Sequence, residues 1–156
     1  MRLRPALLGL AALSVAGYAG SRVLGSRSPV GYLGPLPPCP RGRSVCTRVR
    51  RDFADPPEAV FAAAEAAVRT HRSLLTGSAV EVEVDGLTLR ALFQVGLFRD
   101  DLDLLVEPSL TGSALHVRSA VRNQIGQSDF GVNQRRVRAL LADVAARLGQ
   151  PASSIS

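Results

Sequence analysis

The sequence predicts an α+β fold, in which a four- to five-stranded antiparallel sheet carries two helices packed on one face. Three observations predict it. Apolar residues recur at helical spacing near both ends of the folded region, they alternate with polar residues between those ends, and short turns separate the alternating segments. The expected order is a helix, four strands and a helix, with room for a short additional strand near residues 45–49.

Two amphipathic segments account for the helices. The first is expected to begin at Pro56-Pro57-Glu58 with Asp55 as its N-cap. Its inward residues are Val60, Phe61, Ala64, Val68, His71 and Leu75. The last helix is expected to have Asn133 as its N-cap and to end at Gly149-Gln150-Pro151. Its inward residues are Val137, Leu140, Leu141, Val144 and Leu148.

The alternating segments between them account for four strands. Asp85-Gly86 separates the first two, and this dipeptide is a strong signal for a two-residue hairpin loop. That loop places Val82 opposite Leu89 on the apolar face and Glu81 opposite Arg90 on the polar face. The third and fourth strands are expected at about residues 101–106 and 114–122, joined by a turn at residues 108–112. In the third strand, Leu102, Leu104 and Val106 are expected to point inward.

Charge is distributed unevenly along the chain. Residues 1–51 hold nine arginines and no acidic residue, whereas residues 52–156 hold ten arginines and thirteen acidic residues. Because the excess positive charge lies outside the folded body, the sequence argues against a nucleic-acid-binding domain. Composition divides the chain into four expected parts: a leader at 1–24, a Pro/Gly/Arg-rich tether at 25–51, a single α+β domain at 52–150 and a tail at 151–156.

The leader has the pattern of an export signal. Arg2 and Arg4 precede a run rich in leucine, alanine and glycine from Pro5 to Ala19. It is either a cleaved signal peptide or an uncleaved membrane anchor, in which residues 5–24 contact the bilayer. This pattern, together with the cysteine pair described next, places the expected location in the cell envelope, with the domain on the extracytoplasmic side.

The tether holds both cysteines, Cys39 and Cys46. Export permits a disulfide bond between them, which is the preferred interpretation, and two free thiols are the alternative. A zinc site is less favoured because no further ligands lie nearby in the sequence. The arginines around the cysteines suit either anionic lipid headgroups or solvent. No metal and no cofactor is expected.

The densest polar segment of the chain covers residues 118–136, and nine of its residues match one family signature. They are Arg118, Ser119, Arg122, Gly126, Ser128, Asp129, Gly131, Asn133 and Arg136. The segment thus resembles the bacterial and plastid family of domain of unknown function 1499, as do residues 98–103 and 36–46. The resemblance spans residues 36–148 and implies no established activity. One departure is Val121, which stands where the family usually has serine.

The loop between the last strand and the last helix is the candidate site. Arg118 and Arg122 share one face of the strand, about 13 Å apart, and the loop leads to a helix N-terminus, where anions bind. We therefore hypothesise a bound anionic ligand. Its candidate residues are Arg118, Arg122, Ser128, Asp129, Asn133 and Arg136. The preferred alternative is structural: Asp129 pairs with Arg122 or Arg118, Ser128 closes a turn, and Asn133 caps the helix.

Other polar residues give weaker signals. Asp100, Asp101 and Asp103 lack the spacing of a calcium loop, so a solvated strand start paired with nearby arginines is expected there. His116 and Ser119 project to opposite strand faces, which counts against a Ser–His–Asp triad. The sequence therefore favours a non-catalytic module that binds a partner protein or a small anionic ligand. The alternative is a hydrolase or transferase acting on an envelope substrate.

Overall fold

A six-stranded antiparallel sheet carries two helices on one face. The computed structural model describes residues 36–37, 39, 45–122 and 129–151. The strands are β1 (Cys46–Phe53), β2 (Arg72–Ser73), β3 (Gly77–Asp85), β4 (Thr88–Val95), β5 (Phe98–Ser109) and β6 (Gly112–Val121). The helices are α1 (Pro57–Thr70) and α2 (Val132–Arg147). The spatial order of the strands is β1-β6-β5-β4-β3-β2, so β1 is an edge strand that pairs with β6, the last strand in the sequence.

Alternation along the strands separates an inner face, which packs against the helices, from an outer face. In β5 and β6 most inward positions are apolar, and Leu102, Leu104 and Leu115 are almost fully buried. The buried stripes of both helices join the same core. Their shared residues include Val60, Phe61, Ala64, Val68, Val137, Leu140, Leu141 and Val144. Burial of these side chains against one sheet face is the main favourable contribution to folding.

The α+β class, the antiparallel sheet and the two helices are confirmed, whereas the expected number of strands is wrong. The sheet has six strands. β1 corresponds to the short additional strand expected near residues 45–49 but is longer, and β2 was not expected. β1 runs through residues 46–53, so the end of the segment expected as a tether at 25–51 lies in the sheet. β2 has only two residues, too few to produce a readable alternation.

The β3–β4 hairpin has a different register from the expected one. Asp85 lies opposite Thr88, so the loop is Gly86-Leu87 and not Asp85-Gly86. Gly86 has φ +56°, a conformation that costs glycine little. Leu89 consequently lies opposite Val84, and Arg90 lies opposite Glu83. The two registers differ by an even number of residues, so both give the same inner and outer faces.

Three further local expectations are wrong. Asp55 does not cap α1; its carboxylate accepts a hydrogen bond from Gln150 Nε2 instead. Leu75 lies after the helix in the β2–β3 turn and is largely exposed. Pro108 continues β5, so the β5–β6 turn is confined to residues 110–111. Helical spacing in the sequence therefore extends past the residue at which α1 ends.

The leader at 1–24 lies outside the described residues, as does most of the tether. Within the described parts of the chain, neither helix is long and apolar enough to cross a membrane.

Replacing Gly86 and Gly112 with alanine should lower the free energy of unfolding by different amounts. Gly86→Ala should cost about 1 kcal/mol, since its φ is positive but the space around it is open. Gly112→Ala should cost more than about 2 kcal/mol, because a Cβ there would overlap the Phe53 carbonyl oxygen and the Ala54 backbone. Urea unfolding of the two variants measures the difference, and equal costs would contradict the close approach at Gly112.

Candidate functional site

Arg136 is the centre of the polar cluster that underlies the signature segment. It lies in the second turn of α2, is fully buried, and its guanidinium donates hydrogen bonds to four oxygen atoms. They are the Thr76 carbonyl oxygen at 2.8 Å, Ser119 Oγ at 2.9 Å, Asn133 Oδ1 at 2.9 Å and Asp100 Oδ2 at 2.6 Å. The Phe93 ring contacts the guanidinium face, with its centroid 4.6 Å from Cζ. One side chain thus joins α2 to three separate parts of the sheet.

A second chain of hydrogen bonds fixes the start of α2. Ser119 Oγ donates to Asn133 Oδ1 at 2.5 Å, so Asn133 accepts from both Ser119 and Arg136. The side-chain Nδ2 of Asn133 donates to Asp129 Oδ2 at 2.8 Å and to the Val45 carbonyl oxygen at 3.3 Å. The first turn of α2 is therefore tied to β6 and to the residue that precedes β1.

Asp129 is the residue that caps α2. Its carboxylate accepts hydrogen bonds from the backbone N–H groups of Gly131 and Asn133, both at 2.9 Å. A carboxylate at this position also suits the positive end of the helix dipole. The expectation that Asn133 caps the helix is wrong, because α2 begins at Val132 and Asn133 points into the buried cluster.

Arg118 and Arg122 lie on the outer face of the sheet, away from Arg136. Arg118 Nη1 binds Asp103 Oδ2 at 2.9 Å, and Arg122 Nε binds Asp101 Oδ1 at 2.7 Å. The partner of each is therefore a β5 aspartate and not Asp129. Strand alternation explains why these arginines and Arg136 bind different aspartates, since Asp101 and Asp103 point outward whereas Asp100 points inward.

Burial sets the electrostatics of the Asp100–Arg136 pair. Desolvation raises the pKa of Asp100 and lowers the pKa of Arg136, and the hydrogen bond between them opposes both shifts. Asp100 Oδ1 is also buried and has no hydrogen-bond partner among the described residues. Each charge therefore depends on the other, because either one alone would lie in a low-dielectric interior.

The hypothesised anion site is not one cluster. Asp129, Asn133 and Arg136 converge under the start of α2, whereas Arg118 and Arg122 face the opposite side of the sheet. Ser128 lies outside the described residues. Arg136 has no exposed surface, and its donors are directed at protein oxygens. The observed contacts of these residues are those of a structural network.

Sequence reasoning missed three members of the network. Asp100 was expected at a solvated strand start, although strand alternation already placed it on the face opposite Asp101. Phe93 gives no polar signal, since in the sequence it is one apolar residue of an alternating strand. Thr76 contributes a backbone carbonyl, for which no side-chain signal exists in a sequence.

The structure joins Cys39 and Cys46 by a disulfide bond, with their Cα atoms 5.6 Å apart. The bond attaches the segment before β1 to the first residue of that strand. Across the described ranges, no group of three or more His, Cys, Asp or Glu side chains has the arrangement of a metal site.

Comparisons with known proteins give a family but no activity. A family model described as "Protein of unknown function (DUF1499)" matches residues 44–144. No curated protein matches the chain.

Several solved structures resemble the chain at low similarity. Protein CV1439 from Chromobacterium violaceum is 14% identical, with 65% of this chain and 96% of that chain covered and a TM-score of 0.43. Ara h 8.0201 is 13% identical, with coverage of 67% and 98% and a TM-score of 0.42. TTHA0849 from Thermus thermophilus is 17% identical, with coverage of 70% and 99% and a TM-score of 0.40. Scores this low carry no inference about function.

Removal of Arg136 should destabilise the fold strongly. Arg136→Met keeps the apolar stem but leaves Asp100 buried without its cation, so we expect a loss of about 3–5 kcal/mol in the free energy of unfolding. Arg147→Met, on the same helix, removes an exposed pair with Asp143 and an exposed hydrogen bond to Thr70 Oγ1, and should cost less than about 1 kcal/mol. Urea unfolding compares the two variants.

The double variant Arg136→Met/Asp100→Leu provides the control for this interpretation. It removes both charges, so its loss should be smaller than the sum of the two single losses. Additive losses, or an Arg136→Met cost no larger than that of Arg147→Met, would contradict a buried, mutually dependent pair.

The burial of His71 should make the free energy of unfolding depend on pH. Burial lowers the pKa of His71 below its ordinary value of 6.5; nearby Arg136 and Arg72 also lower it, while Asp143 raises it. The neutral ring is hydrogen-bonded to Thr76 Oγ1 at 2.8 Å. Because the folded state resists protonation, this contribution to stability is present above pH 6.5 and is lost as the pH falls below it.

The His71→Gln variant tests this dependence. Urea midpoints at pH 8 and pH 5.5 should differ less for His71→Gln than for the unsubstituted protein, because the substitution removes the group that must be protonated. An unchanged difference between the two pH values would rule out His71 as the source.

Proposed function

Since the chain belongs to the DUF1499 family of proteins of unknown function, no activity accompanies its membership, and we propose that it is a non-catalytic, membrane-tethered envelope domain. Its proposed role is to bind a partner protein on the extracytoplasmic side. One observation carries the non-catalytic part. The polar residues of the signature that the structure describes are used in contacts within the fold, with Arg136 at 0% exposure.

The arrangement does not favour the alternative of a hydrolase or transferase. Ser119 is buried on the inner face, where its hydroxyl donates to Asn133. His116 lies on the outer face, and its Nε2 is 3.2 Å from a Glu107 oxygen. A nucleophile and its base must share a hydrogen bond or come within reach of one. Here the sheet itself separates the serine from the histidine.

The arrangement favours a protein partner over a small anion. An anion at Arg118 or Arg122 would have to compete with the carboxylates of Asp103 and Asp101, which are held in place by the neighbouring strand. These charge-assisted bonds are short and form within the chain, so a dilute anion gains little by replacing them. A partner protein can instead contact a wide surface without breaking either pair.

Two features support export and tethering. The leader has the charge and apolar pattern of an export signal. The bond between Cys39 and Cys46 is of a kind that persists in oxidising compartments and is rare in the cytosol. Both features lie on the N-terminal side of the domain, where a membrane tether would be attached.

Topology and thiol state test the export proposal together. Fused at its C-terminus to alkaline phosphatase, the full chain should give an active reporter, whereas a fluorescent-protein fusion that matures only in the cytoplasm should stay dark. In acid-quenched cells, Cys39 and Cys46 should resist alkylation until a reductant is added, and membrane fractions should retain the chain after a carbonate wash.

A matched pair of variants controls the thiol measurement. Cys39→Ser and Cys46→Ser each leave one cysteine, which should react with the alkylating reagent without reduction. A bright cytoplasmic reporter with two freely reactive cysteines in the unsubstituted chain would contradict the proposal. Loss of the chain from the carbonate-washed membranes would contradict the tether alone.

A further inference from the structure

One end of the sheet brings together the start of β1 and three connecting segments. We call it the entry end, because the chain enters the sheet there at Cys46. The strand pairing defines it, since β1 begins opposite the end of β6, and β5 begins opposite the same end. The β4–β5 turn and the β2–β3 turn follow along the same edge. Asp129, which caps α2, also lies at this end through Asn133, whose amide contacts Val45.

Large apolar side chains are exposed at the entry end. The β2–β3 turn presents two, the β4–β5 turn and the first residue of β5 present one each, and the segment before α2 presents one. Their exposed fractions are 102% for Leu74, 70% for Leu75, 94% for Leu97, 46% for Phe98 and 85% for Phe130. Single exposed leucines are ordinary on protein surfaces, but five large apolar side chains on adjacent segments at one end are a feature of binding surfaces.

Charge distinguishes this end from the opposite one. Apart from the buried Asp100–Arg136 pair, residues 72–78, 94–101, 120–122 and 129–136 contain four arginines and two aspartates. The opposite end, formed by residues 50–58, 85–88 and 107–113, contains five acidic residues and two arginines, of which Arg50 pairs with Asp52. An anionic surface would therefore attract the entry end and repel the other.

The connection to the leader is compatible with this orientation. The polypeptide from the apolar run at 5–21 reaches the sheet at the entry end, through residues 25–44. Leu36 is already buried in the domain, so the tether outside it comprises the eleven residues 25–35, which span at most about 34 Å at 3.1 Å per residue. A leader held in a bilayer would therefore keep the entry end within reach of that bilayer.

We infer that the entry end docks onto an anionic lipid surface, with its apolar turns in the interfacial layer and its arginines among the headgroups. This inference rests on the tether of the proposed function and adds an orientation to it. Apolar residues flanked by arginines are the combination that binds such interfaces. The acidic end then points away from the membrane.

The composition of the chain provides a sensitive test, because the protein contains no tryptophan. Leu97→Trp places one fluorophore at the entry end. Leu110→Trp is the matched control, since Leu110 is equally exposed in the β5–β6 turn at the opposite end. Each full-length variant is incorporated into phosphatidylcholine vesicles with or without phosphatidylglycerol, and brominated lipids serve as quenchers. Vesicle flotation reports the tether separately.

With phosphatidylglycerol present, brominated lipid should quench the Leu97→Trp variant about threefold more than the Leu110→Trp variant, because interfacial side chains enter the boundary by about 5–10 Å. The emission of the Leu97→Trp variant should also shift to the blue, and both effects should weaken in vesicles without the anionic lipid. Chains that float but show equal quenching at the two positions would overturn the docking and leave the tether intact. Chains that do not float would overturn both.

Discussion

The buried guanidinium of Arg136 is the constraint on which the polar half of this structure depends. A buried charge is tolerated when its donors find acceptors. Four of the five guanidinium N–H groups do so here, with acceptors from β5, β6, the turn before β3 and α2 itself. These four elements must therefore meet at one point. Apolar packing fixes which face α2 covers, whereas the directional hydrogen bonds of Arg136 fix its position along the sheet.

Strand alternation divides the signature into two sets with different surroundings. Asp100 and Ser119 point inward to Arg136, while the residues on either side of them in sequence point outward. On the outer face, Arg118 and Arg122 pair with aspartates of the adjacent strand and cross-link β5 to β6. A motif that reads as one dense polar site is thus two structural networks on opposite sides of one sheet. The contacts of both networks lie within the fold, so these residues hold the sheet and α2 together.

The two ends of the sheet differ as much as its two faces do. Antiparallel pairing places alternate connections at opposite ends, so segments distant in sequence share one surface. At the entry end they are apolar and basic, and at the other end they are acidic. The disulfide between Cys39 and Cys46 attaches the incoming chain at the first of these ends. The proposed orientation on a membrane follows from this difference between the two ends of the sheet.

Local patterns in the sequence determined the α+β class, the two helices and the inward faces of the central strands, because periodicity depends only on neighbouring residues. The tertiary structure alone decided which contacts the polar residues make. Asn133 was expected to cap the last helix and Asp129 to pair with an arginine, but Asp129 accepts the backbone N–H of Asn133 while the Asn133 side chain turns to Arg136. The hairpin register likewise depended on pairing across the whole sheet, since two registers give the same faces. Contacts between residues distant in sequence leave no local pattern in the sequence, and neither do backbone carbonyl acceptors. The hydrogen-bond network around Arg136 consists of both.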